Sequence, residues 1–147
     1  MATVNVEVHT TIHRARPEVA AYSCDPDNVT AWYANIKAVQ WETAKPVQLG
    51  SRVRFTSGFL GRTLEYTYEV VELLPAERFV MRSDQGPFPM ETTYEWEDAP
   101  DGSTWMTLRN RGEPTAFAGL ATPLLATAVR RATTKDLARL KSILEGH

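Results

Sequence analysis

The sequence predicts an α+β fold, a curved antiparallel sheet of about seven strands wrapped around one long C-terminal helix, with two short helices between strands 1 and 2. Two observations predict it. From Arg52 to Arg111, residues alternate with period two in segment after segment. From about Phe117 to Leu144, apolar residues recur at helical spacing: Leu120, Leu124, Val129, Ala132, Leu137, Leu140 and Leu144. Arg130, Arg131, Lys135, Asp136, Arg139 and Lys141 stand between them, so one apolar stripe opposes one charged face. Such a helix buries its stripe against the concave face of a sheet. The space between them is either filled by side chains or left as a pocket.

Each element has its own signal. Val4, Val6, Val8 and Ile12 alternate with Asn5, Glu7, His9 and His13, a half-buried strand. Arg16-Pro17-Glu18 opens a short helix carrying Val19, Ala20 and Tyr22, because proline suits a first helical turn and an acid complements the helix dipole there. Asp25-Pro26-Asp27 restarts the chain in a second short helix, with Asp25 as its N-cap and Val29, Trp32 and Tyr33 on its length. Ile36 to Trp41 is a strand, and Pro46 and Gly50 bracket a turn. Strands follow at Arg52–Thr56, Leu64–Val70, Arg78–Arg82, Met90–Glu97 and Thr104–Arg111, joined through Gly58–Gly61, Leu74–Glu77, Gly86–Pro89 and Pro100–Gly102. Short turns make neighbouring strands antiparallel. A terminal helix of some 25 residues spans about 38 Å, enough to cross the sheet. Pro123 marks either its regular start near Ala121 or a kink.

The bulk numbers exclude several classes. At 147 residues, 43% hydrophobic and 23% charged, the whole chain (1–147) has the length and balance of one ordinary domain. A net charge of -2 argues against a general nucleic-acid binder. Cys24 is the only cysteine, so no intrachain disulfide can form and a cytoplasmic location is expected. The opening Met1-Ala2-Thr3-Val4-Asn5 lacks a basic and then apolar leader, so no secretory signal is expected. No apolar run approaches the roughly 20 residues of a transmembrane segment.

Arg16-Pro17-Glu18-Val19, Asp25-Pro26-Asp27-Asn28 and Trp32 come in a telling order with Gly50-Ser51-Arg52-Val53, the run Tyr68 to Arg78, Asp101-Gly102-Ser103-Thr104 and the ending Asp136 to Glu145. In that order and spacing they resemble the START/polyketide cyclase-dehydrase (SRPBCC) superfamily, across essentially the whole chain. The resemblance implies the helix-grip fold and a cavity between sheet and C-terminal helix. The superfamily includes lipid and hormone carriers, cyclases, quinone-binding factors, chaperone co-activators and oxygenase domains, so the fold alone does not choose among them.

The inward sheet face carries Phe55, Tyr66, Tyr68, Met81, Met90, Tyr94, Trp96, Met106 and Leu108, with Asn110 as a polar anchor. Trp32 from the second short helix and Phe117, Leu120, Leu124 and Ala128 from the long one complete the expected ligand-binding set. This is either a flat-sided apolar cavity with a few phenolic hydroxyls or a filled core whose hydroxyls reach the rim. Small residues on the helix (Gly119, Ala121, Ala126, Ala128 and Ala132) favour the cavity. Tyr66, Tyr94 and Glu72 are the candidate acid/base groups. Glu72 is in phase with Leu64, Tyr66, Tyr68 and Val70, and either points into the cavity mouth, where its pKa would rise, or ends at the wet rim. His9 and His13 share a polar strand face and are either a metal or acid/base pair or solvated surface. No metal pattern, glycine-rich phosphate loop or cofactor motif is visible.

Three functions follow as expectations. The first is binding of a hydrophobic small molecule that is polyketide-, lipid- or isoprenoid-like. The second is a polyketide cyclase or dehydratase using a pocket tyrosine or glutamate. The third is a protein-interaction module using the outer sheet or the basic helix face at Arg130 and Arg131. An exposed Trp41 or Trp105 is either part of a homodimer interface or a solitary surface aromatic.

Overall fold

The computed structural model describes residues 4–59, 61–85, 89–112 and 122–146. The chain runs β1 (Val4–Ile12), α1 (Arg16–Ser23), a 3-10 turn (Pro26–Asn28), α2 (Val29–Trp32), β2 (Ile36–Trp41) and β3 (Arg52–Phe59). It continues through β4 (Arg62–Leu74), β5 (Arg78–Gln85), β6 (Met90–Asp98), β7 (Thr104–Gly112) and α3 (Thr122–Glu145). The seven strands form one sheet in the order β1-β7-β6-β5-β4-β3-β2, and every neighbouring pair is antiparallel. A meander of β2 to β7 therefore has β1 added at its far edge, with α1 and α2 bridging between the two edges.

The local chemistry of the ends is as the sequence implies. Pro17 and Glu18 sit in the first turn of α1. The Asp25 side chain accepts a hydrogen bond from the Asp27 backbone N–H at 3.0 Å, which opens the 3-10 turn before α2. Asp101 and Gly102 both take positive φ, 68° and 73°, in the turn from β6 to β7, where glycine lacks the Cβ that would clash.

The outer face of the sheet is laid with cross-strand ion pairs. Arg78 reaches both Glu72 and Glu95, Arg82 reaches Glu91, and Arg52 reaches Glu69 and Glu42. Arg78–Glu95, Arg82–Glu91 and Arg52–Glu69 are directly opposed in register, the arrangement in which side chains on one face meet. These side chains are partly exposed, so each pair contributes no more than about 1 kcal/mol.

The inner face packs against α3 in two clusters. The larger includes Ile12, Val19, Val29, Trp32, Phe55, Phe79, Met81, Tyr94, Trp96, Met106, Leu108, Leu137 and Leu140. The smaller joins Val4, Val6, Leu64, Tyr66 and Leu125. The buried stripe of α3 starts at Leu125, not Leu124: Leu125 is 2% exposed and Leu124 is 65% exposed. One residue along a helix is a rotation of about 100°, so from Leu125 the stripe runs through Val129, Thr133, Asp136 and Leu140 by steps of three and four.

The basic side of α3 is partly committed to holding the helix in place. Arg130 donates to the Glu7 carbonyl at 3.2 Å and Lys141 to the Thr11 carbonyl at 2.6 Å. Both carbonyls lie on β1, an edge strand with no ladder partner on that side. Arg139 donates to the Ala31 carbonyl at 2.7 Å, and Glu145 accepts the His13 backbone N–H at 2.8 Å. The histidines do not form a pair. His9 stacks on Trp105, and the His13 ring meets the Ser103 hydroxyl at 3.0 Å. Trp41 donates its indole N–H to Asp27 and lies under the Lys45 ammonium.

Candidate ligand cavity

A cavity of about 170 Å³ lies between the two clusters. The larger cluster contributes Val29, Phe55, Met81 and Tyr94 to its wall, and the smaller contributes Val4, Leu64, Tyr66 and Leu125. The space is thus a seam between the inner face of the sheet and α3 from Leu125 to Asp136. Tyr33 and Asn35 from the α2–β2 connection and Ile36 at the start of β2 close it on one side, while Val129, Ala132, Thr133 and Asp136 close it from α3.

The wall is mostly apolar, and hydrogen bonds tie several of its polar groups. The Tyr33 and Tyr94 hydroxyls are 2.6 Å apart. Asn110 accepts from Thr92 at 2.8 Å and donates to Thr133 at 3.1 Å, joining β6, β7 and α3. Asp136 accepts the Ala34 backbone N–H at 3.0 Å. These bonds satisfy buried polar atoms that would otherwise cost about 1–3 kcal/mol each. Burial governs the titration of the site. It pushes the Tyr66 phenol up to about 12 and those of Tyr33, Tyr68 and Tyr94 higher still. At neutral pH these tyrosines are proton-bearing hydrogen-bonding groups, not bases. Burial also raises the Asp136 carboxyl to about 6 against the opposing Ala34 hydrogen bond. That places its proton exchange near neutrality, the range in which acid/base groups work.

Of the residues expected from the sequence, Phe55, Tyr66, Tyr68, Met81, Met90, Tyr94 and Asn110 line the cavity. Trp32, Trp96, Met106 and Leu108 do not; each is 2% exposed or less within the main core, deeper along the sheet. Leu124 faces outward and Leu125 takes its place, for the helical-phase reason given above. Ala128 lines a neighbouring groove instead. Phe117 and Leu120, with Gly119 and Ala121, lie outside the described residues. Glu72 faces the outer surface and pairs with Arg78 at 3.1 Å. Between Val70 and Glu72 the β4–β5 register shifts by one residue, with Val71 the extra residue. The bulge resets the alternation, so Leu73 rather than Glu72 continues the inward face.

Several wall residues escaped the sequence reading. Leu64 and Thr92 were in phase with their inward neighbours, and Val129 and Ala132 lay in the helical stripe. Asp136 had a readable signal too: a carboxylate four residues before Leu140 stands on the buried stripe, not on the charged face. Tyr33 and Ile36 stood at the ends of predicted elements, and Asn35 had no signal, because the connection between α2 and β2 has no periodicity to read.

Burial and then the Asp25 charge push the Cys24 thiol up to about 12, so it keeps its proton at neutral pH. Among the described residues no cluster of three His, Cys, Asp or Glu could hold a metal ion, and no helix is long and apolar enough to cross a membrane.

A bent sheet gripping a terminal helix, with an apolar seam open between them, defines a helix-grip protein of the START type. The chain belongs to the family described as polyketide cyclase/dehydrase and lipid transport, whose model matches residues 3–145. Solved structures agree on the fold. A START superfamily protein from Mycobacterium smegmatis superposes with a TM-score of 0.84 at 13% identity, with 97% of each chain covered. The Zhui aromatase/cyclase from a Streptomyces species gives 0.81 at 18% identity, covering 98% of this chain and 94% of that one. A major latex-like protein from Panax ginseng gives 0.75 at 13% identity, covering 95% and 96%. No curated protein matches the chain in sequence.

Proposed function

We propose that the protein binds a hydrophobic small molecule, polyketide-, lipid- or isoprenoid-like, in the seam between the sheet and α3. The observation that carries this reading is the seam itself: about 170 Å³ walled by aliphatic, thioether and phenol side chains. A dry cavity of about 150 Å³ already accepts a benzene-sized guest. Each buried methylene of a ligand contributes about 0.8 kcal/mol, so a six-carbon ring or chain in this space gains about 5 kcal/mol before ordering costs are deducted. Family membership supports the same reading.

The experiment is displacement of a neutral fluorescent probe such as Nile red, run beside native mass spectrometry of the purified protein. Ala132 stands in the cavity wall on α3 and is only partly buried. Ala132→Phe places a ring in the free space, and probe affinity is expected to fall at least about tenfold with the circular dichroism spectrum unchanged. Equal affinity in the two proteins would place the probe elsewhere and refute the reading.

A second reading, a cyclase or dehydratase, is favoured by one specific observation. Asp136, with a carboxyl near pKa 6, shares a cavity with proton-bearing phenols. A base and donors around a folded chain are what such chemistry needs. In this reading Asp136 takes the base role, and Tyr94 and Tyr66 hold the substrate carbonyls. Turnover of a linear polyketone thioester that survives unchanged in Asp136→Asn would exclude it.

A further inference from the structure

A second depression adjoins the cavity and differs from it in chemistry. It measures about 600 Å³ and shares Asn35, Ala132 and Asp136 with the cavity, so the two spaces have a common wall. Its remaining lining includes Lys37, Arg62, Arg131 and Lys135. Lys37 comes from β2, Arg62 from the start of β4, and Arg131 and Lys135 from successive turns of α3. Four cations from three elements thus converge on one groove in a chain whose net charge is -2. The Lys37 stem lies close over Gly58, where an added Cβ would stand 3.1 Å from the Lys37 Cε.

The contrast with the rest of the molecule is informative. On the outer sheet face Arg52, Arg54, Arg78, Arg82 and Arg111 each lie within 4 Å of a glutamate. In the groove, Lys37, Arg131 and Lys135 make no ion pair with a carboxylate among the described residues. Like charges gathered around one hollow repel, and the arrangement is relieved by an anion placed among them. Among the described residues that line the groove the one carboxylate is Asp136, which lies on its inner wall and is buried, whereas the four cations are exposed.

We propose that the molecule bound here is amphipathic, with its apolar part in the seam and an anionic head, a carboxylate or phosphate, held in the groove by Lys37, Arg62, Arg131 and Lys135. This rests on the apolar-ligand reading above and adds the head-group chemistry to it. A seam of this size takes only part of a long chain or fused-ring molecule. The adjoining groove receives the rest, and its charge decides which end points outward.

The test compares a medium-chain fatty acid, the alkyl phosphate of equal length and the matching fatty alcohol as competitors of Nile red. The acid or the alkyl phosphate is expected to bind the wild-type protein at least about tenfold more tightly than the alcohol, and the tighter of the two names the head. The preference is expected to shrink in 0.5 M salt and to fall towards one in Arg131→Gln/Lys135→Gln. Arg109→Gln, on the outer sheet face away from both spaces, should retain it. Inorganic phosphate alone should compete with the anionic amphiphiles and not with the alcohol. Equal affinity of all three amphiphiles for the wild-type protein would overturn the anionic head and leave the apolar-ligand reading standing. Failure of all three, and of the probe, would overturn both. Equal affinities together with co-sedimentation on anionic vesicles that the double substitution abolishes would assign the cations to a membrane surface and refute the proposal.

Discussion

Asp136 is the residue whose environment matters most to the chemistry of the cavity. It lies on the buried stripe of α3, 5% exposed, with the Ala34 N–H as its hydrogen-bond donor. Tyr33 faces it from the cavity, and the groove cations Lys37, Arg62, Arg131 and Lys135 stand beyond it. Its folded pKa, about 6, exceeds the unfolded value of 3.8. Between those values the folded state binds more protons than the unfolded one, so this group makes stability fall as pH rises from about 4 to about 6. Above that window the cost is constant. After a discount for partial solvent screening it amounts to about 2 kcal/mol. Asp136→Asn keeps an oxygen for the Ala34 N–H and removes the titration. Urea unfolding of both proteins from pH 4 to pH 8 is expected to show the substituted protein gaining about 2 kcal/mol on the wild type across that window. A constant difference would mean the carboxyl is solvated.

At the scale of elements, α3 holds the two clusters together and forms one wall of the cavity. Leu137 and Leu140 anchor its C-terminal half in the main core, and Leu125 anchors its N-terminal half in the smaller cluster. Arg130 and Lys141 fasten it along the edge of β1. Leu140 is fully buried, so Leu140→Ala is expected to cost about 3 kcal/mol in denaturant unfolding, the loss of transfer energy plus the void left behind. Ala132 stands at the other extreme. A small residue at the cavity wall, it can accept added volume where Leu140 cannot lose any. The β4 bulge works at the same scale, since one extra residue at Val71 turns Glu72 outward to Arg78 and leaves the inner wall free of a second carboxylate on that strand.

At the scale of the whole molecule, the open seam leaves apolar side chains short of contacts that a ligand can supply. A ligand that binds only the folded state stabilises it by about 2.7 kcal/mol at 100 times its Kd. For a chain of this length that corresponds to a rise in Tm of roughly 5–10 °C. Differential scanning fluorimetry against a panel of apolar and amphipathic molecules is expected to show this shift for true ligands, and Ala132→Phe is expected to abolish it. A shift retained in that protein would place the ligand outside the seam.

The strand and helix periodicities sufficed for the order of elements, for the inward faces of β1, β3, β6 and β7, and for most of the sheet's contribution to the cavity. Alternation is a local property, imposed by the pleat, and can be read one segment at a time. Tertiary structure alone decided which inward residues border empty space and which are packed solid. Tyr94 and Trp96 are two places apart on one face of β6 and both belong to the main core, yet of the two only Tyr94 borders the cavity. It also decided the consequences of single-residue offsets, the bulge at Val71 and the phase of α3 at Leu125, because an offset of one inverts a strand face and turns a helix by about 100°. The convergence of Lys37, Arg62, Arg131 and Lys135 on one groove belongs to the same class, since residues so far apart in the chain meet only once the sheet has bent around its helix.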